Sequence, residues 1–260
     1  MLEETVLNRR ALLTSMAAAA ALPLTGAPAL AAPTWQQRWS PLPGKDGLNA
    51  FEGVEDDRAG SHPGVKHIYP VRDTFRFDMH KRDRDTATDR QRNEVRGMRT
   101  AGEALSMGNG ETWRIAYSMF IPSTLKATSS FTHIMQTKMP GLGSAPITTM
   151  SLRRTGTLAE IEFRVSEGNV LVGHTPLAPL QDKWIDTEVE LGIGDGSAGY
   201  VGWTIRSGGQ TVLAERKSGV DTWLGDRVRP KWGIYRSLSD SAQLQDCYLL
   251  LRDLKAWQRI

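Results

Sequence analysis

The 260-residue sequence contains a single cysteine, Cys247. One cysteine cannot form an intrachain disulfide, so the small disulfide-stapled secreted folds are excluded. Cys247 lies in an apolar run, which favours a buried and chemically inert thiol over a nucleophile. The chain must therefore be stabilised by an ordinary hydrophobic core, and it is long enough to form one.

Long apolar runs are also scarce. The most prominent, residues 11–24, is rich in Ala, Pro and Thr and is shorter than the ~20 apolar residues that a membrane-spanning helix needs, although a membrane anchor is the alternative. It follows Arg9-Arg10 and leads to a small-residue cleavage pattern near Ala31, which together are typical of a twin-arginine export signal. We expect residues 1–31 to be this signal, and the mature chain to be secreted to the extracellular space without further membrane contact.

The charge balance is only weakly one-sided. The net charge is +3 and the sequence pI is about 9.1. A basic secreted protein favours a polyanionic partner. No nucleic-acid-binding motif accompanies the charge, so a nucleic acid is disfavoured as this partner. We expect a monomeric protein.

Sustained helical periodicity is absent as well, and two-residue alternation takes its place. A Ser-Gly-Gly-Gln turn at 207–210 predicts a β-hairpin. These patterns predict an all-β fold, which could be a sandwich, a jelly roll or a barrel. We expect residues 71–260 to form this domain and residues 32–70 to be an irregular segment that wraps it or leads into it. The alternating segments are 74–80, 112–121, 159–165, 184–193, 200–206, 211–215 and 247–257.

Three short strings within candidate strands carry polar groups at alternate positions. They are Arg-Asn-Glu-Val-Arg at 92–96, Gln-Thr-Lys at 136–138 and Lys-Trp-Gly-Ile-Tyr at 231–235. Alternate residues of a strand share one face. If the three strands are neighbours, one sheet face carries Arg92, Glu94, Arg96, Gln136, Lys138, Lys231 and Tyr235.

These strings resemble the Arg-x-Glu-x-Arg, Gln-x-His and Lys-x-Gly-x-Tyr pattern of the β-jelly-roll polysaccharide lyases, the heparin lyase I-like family with its glucuronan and alginate lyase relatives. The order along the chain is the same, and the resemblance covers roughly residues 70–257. It implies a two-sheet β-sandwich of jelly-roll type with a concave substrate groove. It also implies a secreted lyase that cleaves a uronate-containing acidic polysaccharide by β-elimination. One position departs from the pattern, because Lys138 stands where the family has histidine. Three alternatives are open. Lys138 replaces the histidine as a charge neutraliser, another histidine takes its role, or the activity is altered or lost.

The chemistry of β-elimination explains why these residue types belong together. The reaction removes a proton from C5 of a uronate and expels the C4 oxygen, so its carboxylate must be neutralised by cations or strong donors. We expect Arg92, Gln136 and Lys138 to supply this neutralisation and Tyr235 to act as base and acid. Arg96, Lys231 and Glu94 are expected to bind the substrate, with Glu94 holding the arginines in orientation. The non-functional alternative is that these residues form an exposed salt-bridge ladder with a surface lysine and a surface tyrosine.

The histidines offer one further candidate. His80 lies on the polar face of the 74–80 strand and is a candidate for the neutral base that Lys138 is not. The alternative is an ordinary surface histidine. His133 lies opposite Gln136 by strand parity and is a weaker candidate. The remaining three, His62, His67 and His174, fall in loop-like contexts without a partner signal.

Metal and cofactor signals are weak. No spacing among the histidines, Cys247 and nearby carboxylates is typical of a transition-metal site, so we expect no cofactor and no metal in the catalytic site. Asp/Gly clusters at Asp195-Gly196 and Asp221 leave a structural calcium open.

Two other functions compete with the lyase. A noncatalytic carbohydrate-binding module of the same fold would use the same basic face. A glycoside hydrolase needs two carboxylic side chains about one bond, and the candidate face offers only Glu94 between two arginines. Hydrolysis is therefore disfavoured.

Overall fold

The computed structural model of the protein describes residues 34–141 and 143–260. The predicted export signal at residues 1–31 lies outside the described residues. No helix within the described part is long and apolar enough to cross a membrane.

Strands dominate the described residues, and the helical elements are single turns. The one α-helix, α1, spans Pro43–Asp46, and short 3₁₀ turns lie at Gly47–Ala50, Glu167–Asn169, Ala178–Leu180, Gly196–Ala198 and Ser241–Gln243. The strands are β1 Trp35–Trp39, β2 Gly53–Glu55, β3 Ile68–Val71, β4 Thr74–Met79, β5 Arg90–Arg96, β6 Arg99–Thr100, β7 Glu103–Ala104, β8 Thr112–Phe120, β9 Thr132–Lys138, β10 Pro146–Thr155, β11 Leu158–Val165, β12 Val170–Pro176, β13 Trp184–Gly192, β14 Gly199–Ser207, β15 Gln210–Val220, β16 Arg229–Ser237 and β17 Cys247–Arg259.

Two antiparallel sheets hold fifteen of these strands. The first sheet has the order β15-β14-β13-β8-β17-β4-β3, with β1 also paired to β17. The second has the order β12-β11-β10-β9-β16-β5-β2. The core between them contains large side chains such as Phe77, Trp113, Phe163, Trp203 and Trp232, all at most 1 % exposed. This arrangement confirms the predicted two-sheet β-sandwich.

The strands predicted from alternation are present to within a few residues. On β4, for example, Phe75 and Phe77 are buried while Arg76 between them is only partly so, as the two-residue period requires. The predicted hairpin joins β14 to β15, with Ser207 paired to Gln210. Its two turn residues, Gly208 and Gly209, have φ of 59° and 79°, the left-handed conformation that a tight hairpin turn needs.

The segment before residue 71 differs from the expected irregular lead. It supplies β1 and β3 to the first sheet and β2 to the second sheet, through pairing with β17, β4 and β5 respectively. These strands are three to five residues long. Such short runs are held by their strand partners and carry little alternation of their own. Residues 34–70 therefore belong to the sandwich.

Cys247 starts β17 and is buried, as expected. Burial raises the pKa of its thiol to about 11. The Arg236 guanidinium donates to Sγ at 3.1 Å. A thiol that stays protonated and enclosed is a structural group rather than a nucleophile.

Candidate functional site

The three polar strings lie on adjacent strands of the second sheet. β16 pairs with β5 on one side and with β9 on the other. Lys231 is opposite Arg96 on β5 and opposite Gln136 on β9, while Tyr235 is opposite Arg92. The expected adjacency is confirmed, and their polar side chains meet on the face that points away from the core.

Gly233 permits this close packing of strands. Its φ of 138° lies in a region that favours glycine, and a Cβ there would come within 2.2 Å of the Asn93 carbonyl oxygen. It would also come within 2.8 Å of the Glu94 Cα. The glycine between Lys231 and Tyr235 is therefore a geometric requirement of the β5–β16 pair.

A cleft of about 850 Å³ opens over this face. Its walls come from the chain after β2, the segment before β5 and the segment between β9 and β10. Among the described residues that line it, seven side chains are cationic and two are carboxylates, so the cleft is strongly positive. The cations are Arg58, Arg90, Arg92, Arg96, Lys138, Arg229 and Lys231, and the carboxylates are Glu55 and Asp85.

Glu94 forms the fully buried floor of the cleft. Its side chain is 0 % exposed and accepts hydrogen bonds from Gln136 Nε2 at 2.6 Å, Lys231 Nζ at 2.8 Å and Arg92 Nη1 at 3.2 Å. One carboxylate thus ties together all three strings. A buried charge persists only with such pairing.

This arrangement differs from the expected roles of Lys231 and Gln136. The Lys231 ammonium is 2 % exposed and donates to Glu55 at 2.6 Å as well as to Glu94. Both donors therefore face the floor carboxylates instead of the open cleft. They organise the floor, and the remaining cations are better placed to meet a ligand.

Glu55 is a member of the site that sequence analysis missed. It ends β2 and contacts Lys231, Arg92 at 3.4 Å and Arg96 at 3.4 Å. Burial acts to raise the pKa of Glu55, but the charges of Lys231, Arg92 and Arg58 outweigh it and the pKa is lowered. No sequence signal identified it, because a three-residue strand shows no periodicity.

Arg92 is held on several sides. Its Nε donates to Asp85 at 3.0 Å, its Nη1 contacts Glu55 and Glu94, and its Cζ lies 3.8 Å from the centre of the Tyr235 ring. Burial acts to lower the pKa of Arg92, but the neighbouring negative groups, chiefly Glu94, outweigh it and the pKa is raised. Arg92 is therefore a fixed cation stacked on the phenol.

Arg90 contacts the same phenol from the side. Its Nη1 donates to the Tyr235 Oη at 2.5 Å, and Asp89 binds the other edge of the guanidinium at 2.6 and 2.8 Å. These contacts with Asp89 and Tyr235 raise the pKa of Arg90. Sequence analysis missed Arg90, although it shares strand parity with Arg92 and the signal was present.

His133 is on the cleft face, contrary to the parity argument. A bulge shifts the register between the Trp232–Met135 and Tyr235–His133 pairs, and Ile134 and Met135 both enter the core. The His133 ring centre lies 5.7 Å from that of Tyr235, and its Nδ1 is 2.7 Å from the Ser151 Oγ. Burial, followed by the charges of Arg153, Arg92 and Lys231, lowers the pKa of His133 to about 3. The imidazole is therefore neutral at ordinary pH.

Lys138 and Arg96 are the more accessible cations at the other end of the cleft. Lys138 is partly exposed and has no hydrogen-bond partner among the described residues, and the Arg96 side chain is 40 % exposed. Burial and the charges of Lys231 and Arg92 lower the pKa of Lys138. Both residues can turn towards a negatively charged ligand.

His80 is not brought to the cleft. It follows β4 of the first sheet, and its ring packs against His62 at 4.8 Å and His67 at 5.3 Å between ring centres. The hypothesis that His80 supplies the base for the β5–β9–β16 face therefore lacks the required geometry. The sequence showed no partner signal for His62 and His67, and in the structure both contact Asp83.

Comparisons with known proteins give a clear result only at the level of structure. No protein-family model and no curated protein matches the sequence. Alginate lyase A1-II′, described as a member of polysaccharide lyase family 7, is similar in structure with a TM-score of 0.58 and 16% identity, over 84% of this chain and 99% of that one.

Two further solved structures share the likeness. An alginate lyase from Pseudomonas aeruginosa has a TM-score of 0.51 and 13% identity over 80% of this chain and 98% of its own. An endo-β-1,4-glucuronan lyase from the fungus Trichoderma reesei has a TM-score of 0.50 and 12% identity over 86% and 94%. At these identities the likeness establishes the fold, which is the jelly-roll sandwich of the alginate and glucuronan lyases.

Proposed function

We propose that the protein is a polysaccharide lyase that cleaves a uronate-containing acidic polysaccharide by β-elimination in the cleft over β5, β9 and β16. One observation carries the proposal: the positive cleft contains Tyr235, whose hydroxyl accepts a hydrogen bond from Arg90 and whose ring is stacked under Arg92. The solved structures that share the fold are described as alginate and glucuronan lyases, which supports the same class of reaction.

Carboxylate neutralisation falls to the cations at the open side of the cleft. Lys138 and Arg96 are accessible, and Arg92 adds a fixed positive charge near the reacting ring. An ionised uronate gains a second negative charge as its C5 proton leaves, so these cations stabilise the transition state more than the ground state. Glu94 and Glu55 keep the cationic network aligned and are not part of the chemistry.

Proton transfer is assigned to Tyr235. Its ionised oxygen takes the C5 proton, the C–H electrons form the C4–C5 double bond, and the C4–O bond breaks. The departing oxygen then receives a proton from the phenol, so that Tyr235 ends as it began. Arg90, donating to Oη, stabilises negative charge there, and the neutral His133 beside it is a second candidate base.

Hydrolysis fits the cleft poorly. A glycoside hydrolase needs one carboxylic acid that can donate a proton. Glu55 and Asp85, the carboxylates among the described lining residues, both contact Arg92, and the pKa of Glu55 is lowered. A carboxyl group with a lowered pKa is ionised at neutral pH and has no proton to donate.

A substrate screen tests the proposal against the noncatalytic module. Purified protein is incubated with alginate, glucuronan, heparin-type glycans and ulvan, and ultraviolet absorbance of the unsaturated uronate product is recorded. We expect a rise with at least one polymer and without an added cofactor. Binding to polyuronates with no product from any of them would support the module instead.

We further propose that the chain acts as a secreted monomer exported through the twin-arginine route. The paired arginines and the small-residue pattern near Ala31 support the export step. The protein expressed in a bacterium with an intact pathway should appear outside the cytoplasm with a new N-terminus near residue 32. Substitution of Arg9 and Arg10 by lysine should retain it inside.

A further inference from the structure

Four side chains from two loops converge outside the cleft. They are His62 and His67, which lie between β2 and β3, and His80 and Asp83, which follow β4. One donor atom from each lies within 4.8 Å of every other. The cluster brings three imidazoles around a single carboxylate that is itself buried.

The protonation pattern of the cluster is incomplete without a cation. His67 is 0 % exposed, and its Nδ1 lies 2.6 Å from the Asp56 Oδ1, which fixes the ring proton on that side. The unprotonated Nε2 then faces the Asp83 Oδ2 at 3.3 Å with no hydrogen-bond partner. Two acceptors facing each other in a buried site repel unless a positive centre lies between them.

His80 repeats the same problem. Its Nδ1 is buried without a hydrogen-bond partner, 3.3 Å from the same Asp83 oxygen. That oxygen already accepts the His80 backbone N–H at 2.6 Å. His62 completes the set with Nδ1 3.0 Å from the other oxygen of Asp83.

The spacing of the donor atoms fits a small tetrahedral ion. Zinc ligands lie about 2.0–2.2 Å from the ion, which puts neighbouring tetrahedral donors roughly 3.3 Å apart. The His67 Nε2 and His80 Nδ1 atoms both lie 3.3 Å from the same Asp83 oxygen, which agrees with this value, and all four donor atoms lie within 4.8 Å of one another. Calcium prefers six to eight oxygen donors, so a set of three nitrogens and one carboxylate does not suit it.

We propose that His62, His67, His80 and Asp83 bind one divalent transition-metal ion of the zinc type. Four protein ligands close the coordination shell, so the ion is structural rather than catalytic. Asp56 acts as a positioning residue, since it orients His67 in the carboxylate–histidine–metal arrangement. Sequence spacing did not indicate this site, because its ligands come from loops on either side of the β3–β4 hairpin.

The ion would also brace one wall of the cleft. Gln91 on β5 donates from Nε2 to the Asp83 carbonyl at 2.6 Å. Asp85, two residues beyond the ligand Asp83, contacts the Arg92 Nε. Metal binding therefore fixes the segment that carries Asp85 into the candidate active site.

Metal content tests the proposal directly and needs no substrate. Untagged protein is stripped with a chelator, reloaded with Zn²⁺ and freed of excess metal, and bound zinc is measured by mass spectrometry. We expect one equivalent per chain and a rise in Tm on reloading, because an ion that binds only the folded state stabilises it. Co²⁺ in its place should give the intense visible bands of a tetrahedral site.

Variants separate this site from adventitious binding. Asp56→Asn should weaken zinc binding by about 10- to 100-fold. His62→Ala and His80→Ala should weaken it further and abolish the tetrahedral Co²⁺ bands. His174→Gln is the matched control, because this half-exposed histidine on β12 pairs with Glu160 away from the cluster, and it should leave binding unchanged.

Two results would overturn the proposal. The first is a wild-type protein that retains less than a stoichiometric amount of zinc and shows no tetrahedral Co²⁺ spectrum. The second is a stoichiometric site that survives His62→Ala and His80→Ala without loss of affinity. The first measurement uses the folded wild-type chain, so a variant that fails to fold does not remove the test.

Discussion

The Arg90 Nη1 lies 2.5 Å from the phenol oxygen of Tyr235, although the two residues are 145 positions apart in the chain. Asp89 grips the opposite edge of the same guanidinium, so its direction is fixed. A fixed donor to the phenol oxygen stabilises the ionised form of Tyr235, which in the proposed mechanism takes the C5 proton.

Arg90→Gln should lower kcat by about 10²-fold while KM changes little. The reason is that Arg90 stabilises the ionised phenol that takes the C5 proton, and a hydrogen bond to a charged group is worth about 1.5–3 kcal/mol, or roughly 10- to 150-fold. The rate of unsaturated-product formation measures the effect. Arg206→Gln, which changes an exposed arginine on β14 of the first sheet, is the control and should keep the wild-type kcat. A kcat within twofold of wild type for Arg90→Gln would remove Arg90 from the account.

Glu94→Gln should lower the free energy of unfolding by about 3–5 kcal/mol, because it leaves the buried Lys231 ammonium short of one partner. Urea unfolding curves give this value. Glu188→Gln is the matched control: Glu188 is partly exposed and lies 3.5 Å from Arg114, so its loss should cost less than about 1 kcal/mol. Equal costs for the two variants would contradict the description of Glu94 as the floor of the cleft.

Protonation of His133 should make stability depend on pH. Its folded-state pKa, about 3, is below the ordinary value of 6.5, so the unfolded chain takes up the proton first. The contribution of neutral His133 to the free energy of unfolding is present in full above pH 6.5 and is lost as pH falls towards 3. The free energy of unfolding then falls by up to about 1.4 kcal/mol per pH unit.

The His133→Gln variant isolates this contribution. The difference in unfolding free energy between wild type and His133→Gln should shrink as pH falls through that window, since carboxylate effects are common to both proteins. The His174→Gln variant should show no such trend. Parallel wild-type and His133→Gln profiles between pH 4 and 8 would show that His133 is not held neutral.

Lys138→Gln should lower kcat/KM for a polyuronate by at least about tenfold, with a lower kcat as well as a higher KM, because a hydrogen bond to a charged group is worth about 1.5–3 kcal/mol. The wild-type KM should also rise with salt, and the variant should respond less steeply. Lys255→Gln, on the exposed part of β17, serves as control. A salt response identical to wild type would indicate that Lys138 does not meet the substrate.

Strand alternation predicted much of this molecule, and its failures have physical causes. It assigned Arg92, Glu94 and Arg96 to one face correctly, because β5 is a regular strand. It misplaced His133, since a bulge at Ile134 within β9 reverses parity there and leaves no mark in residue type. Glu55 could not be predicted from the sequence, because its strand has only three residues and is positioned by pairing with β5.

The histidine cluster shows a different limit. His67 and His80 approach only because β3 and β4 pair as a hairpin that brings their outer ends together. Metal-ligand spacing along a sequence detects sites within one loop or helix. Ligands drawn from both ends of a hairpin become visible only in three dimensions.

The measurement that tests the central claim most directly is product formation by Tyr235→Phe on a polymer that the wild type cleaves. Removal of one hydroxyl should lower the rate of unsaturated-product formation by at least about 10²-fold and leave polymer binding close to wild type, since proton transfer by one positioned group contributes 10²–10⁴-fold. Tyr248→Phe, on β17 of the first sheet, should keep full activity. A Tyr235→Phe protein that turns over at the wild-type rate would contradict the assignment of proton transfer to Tyr235.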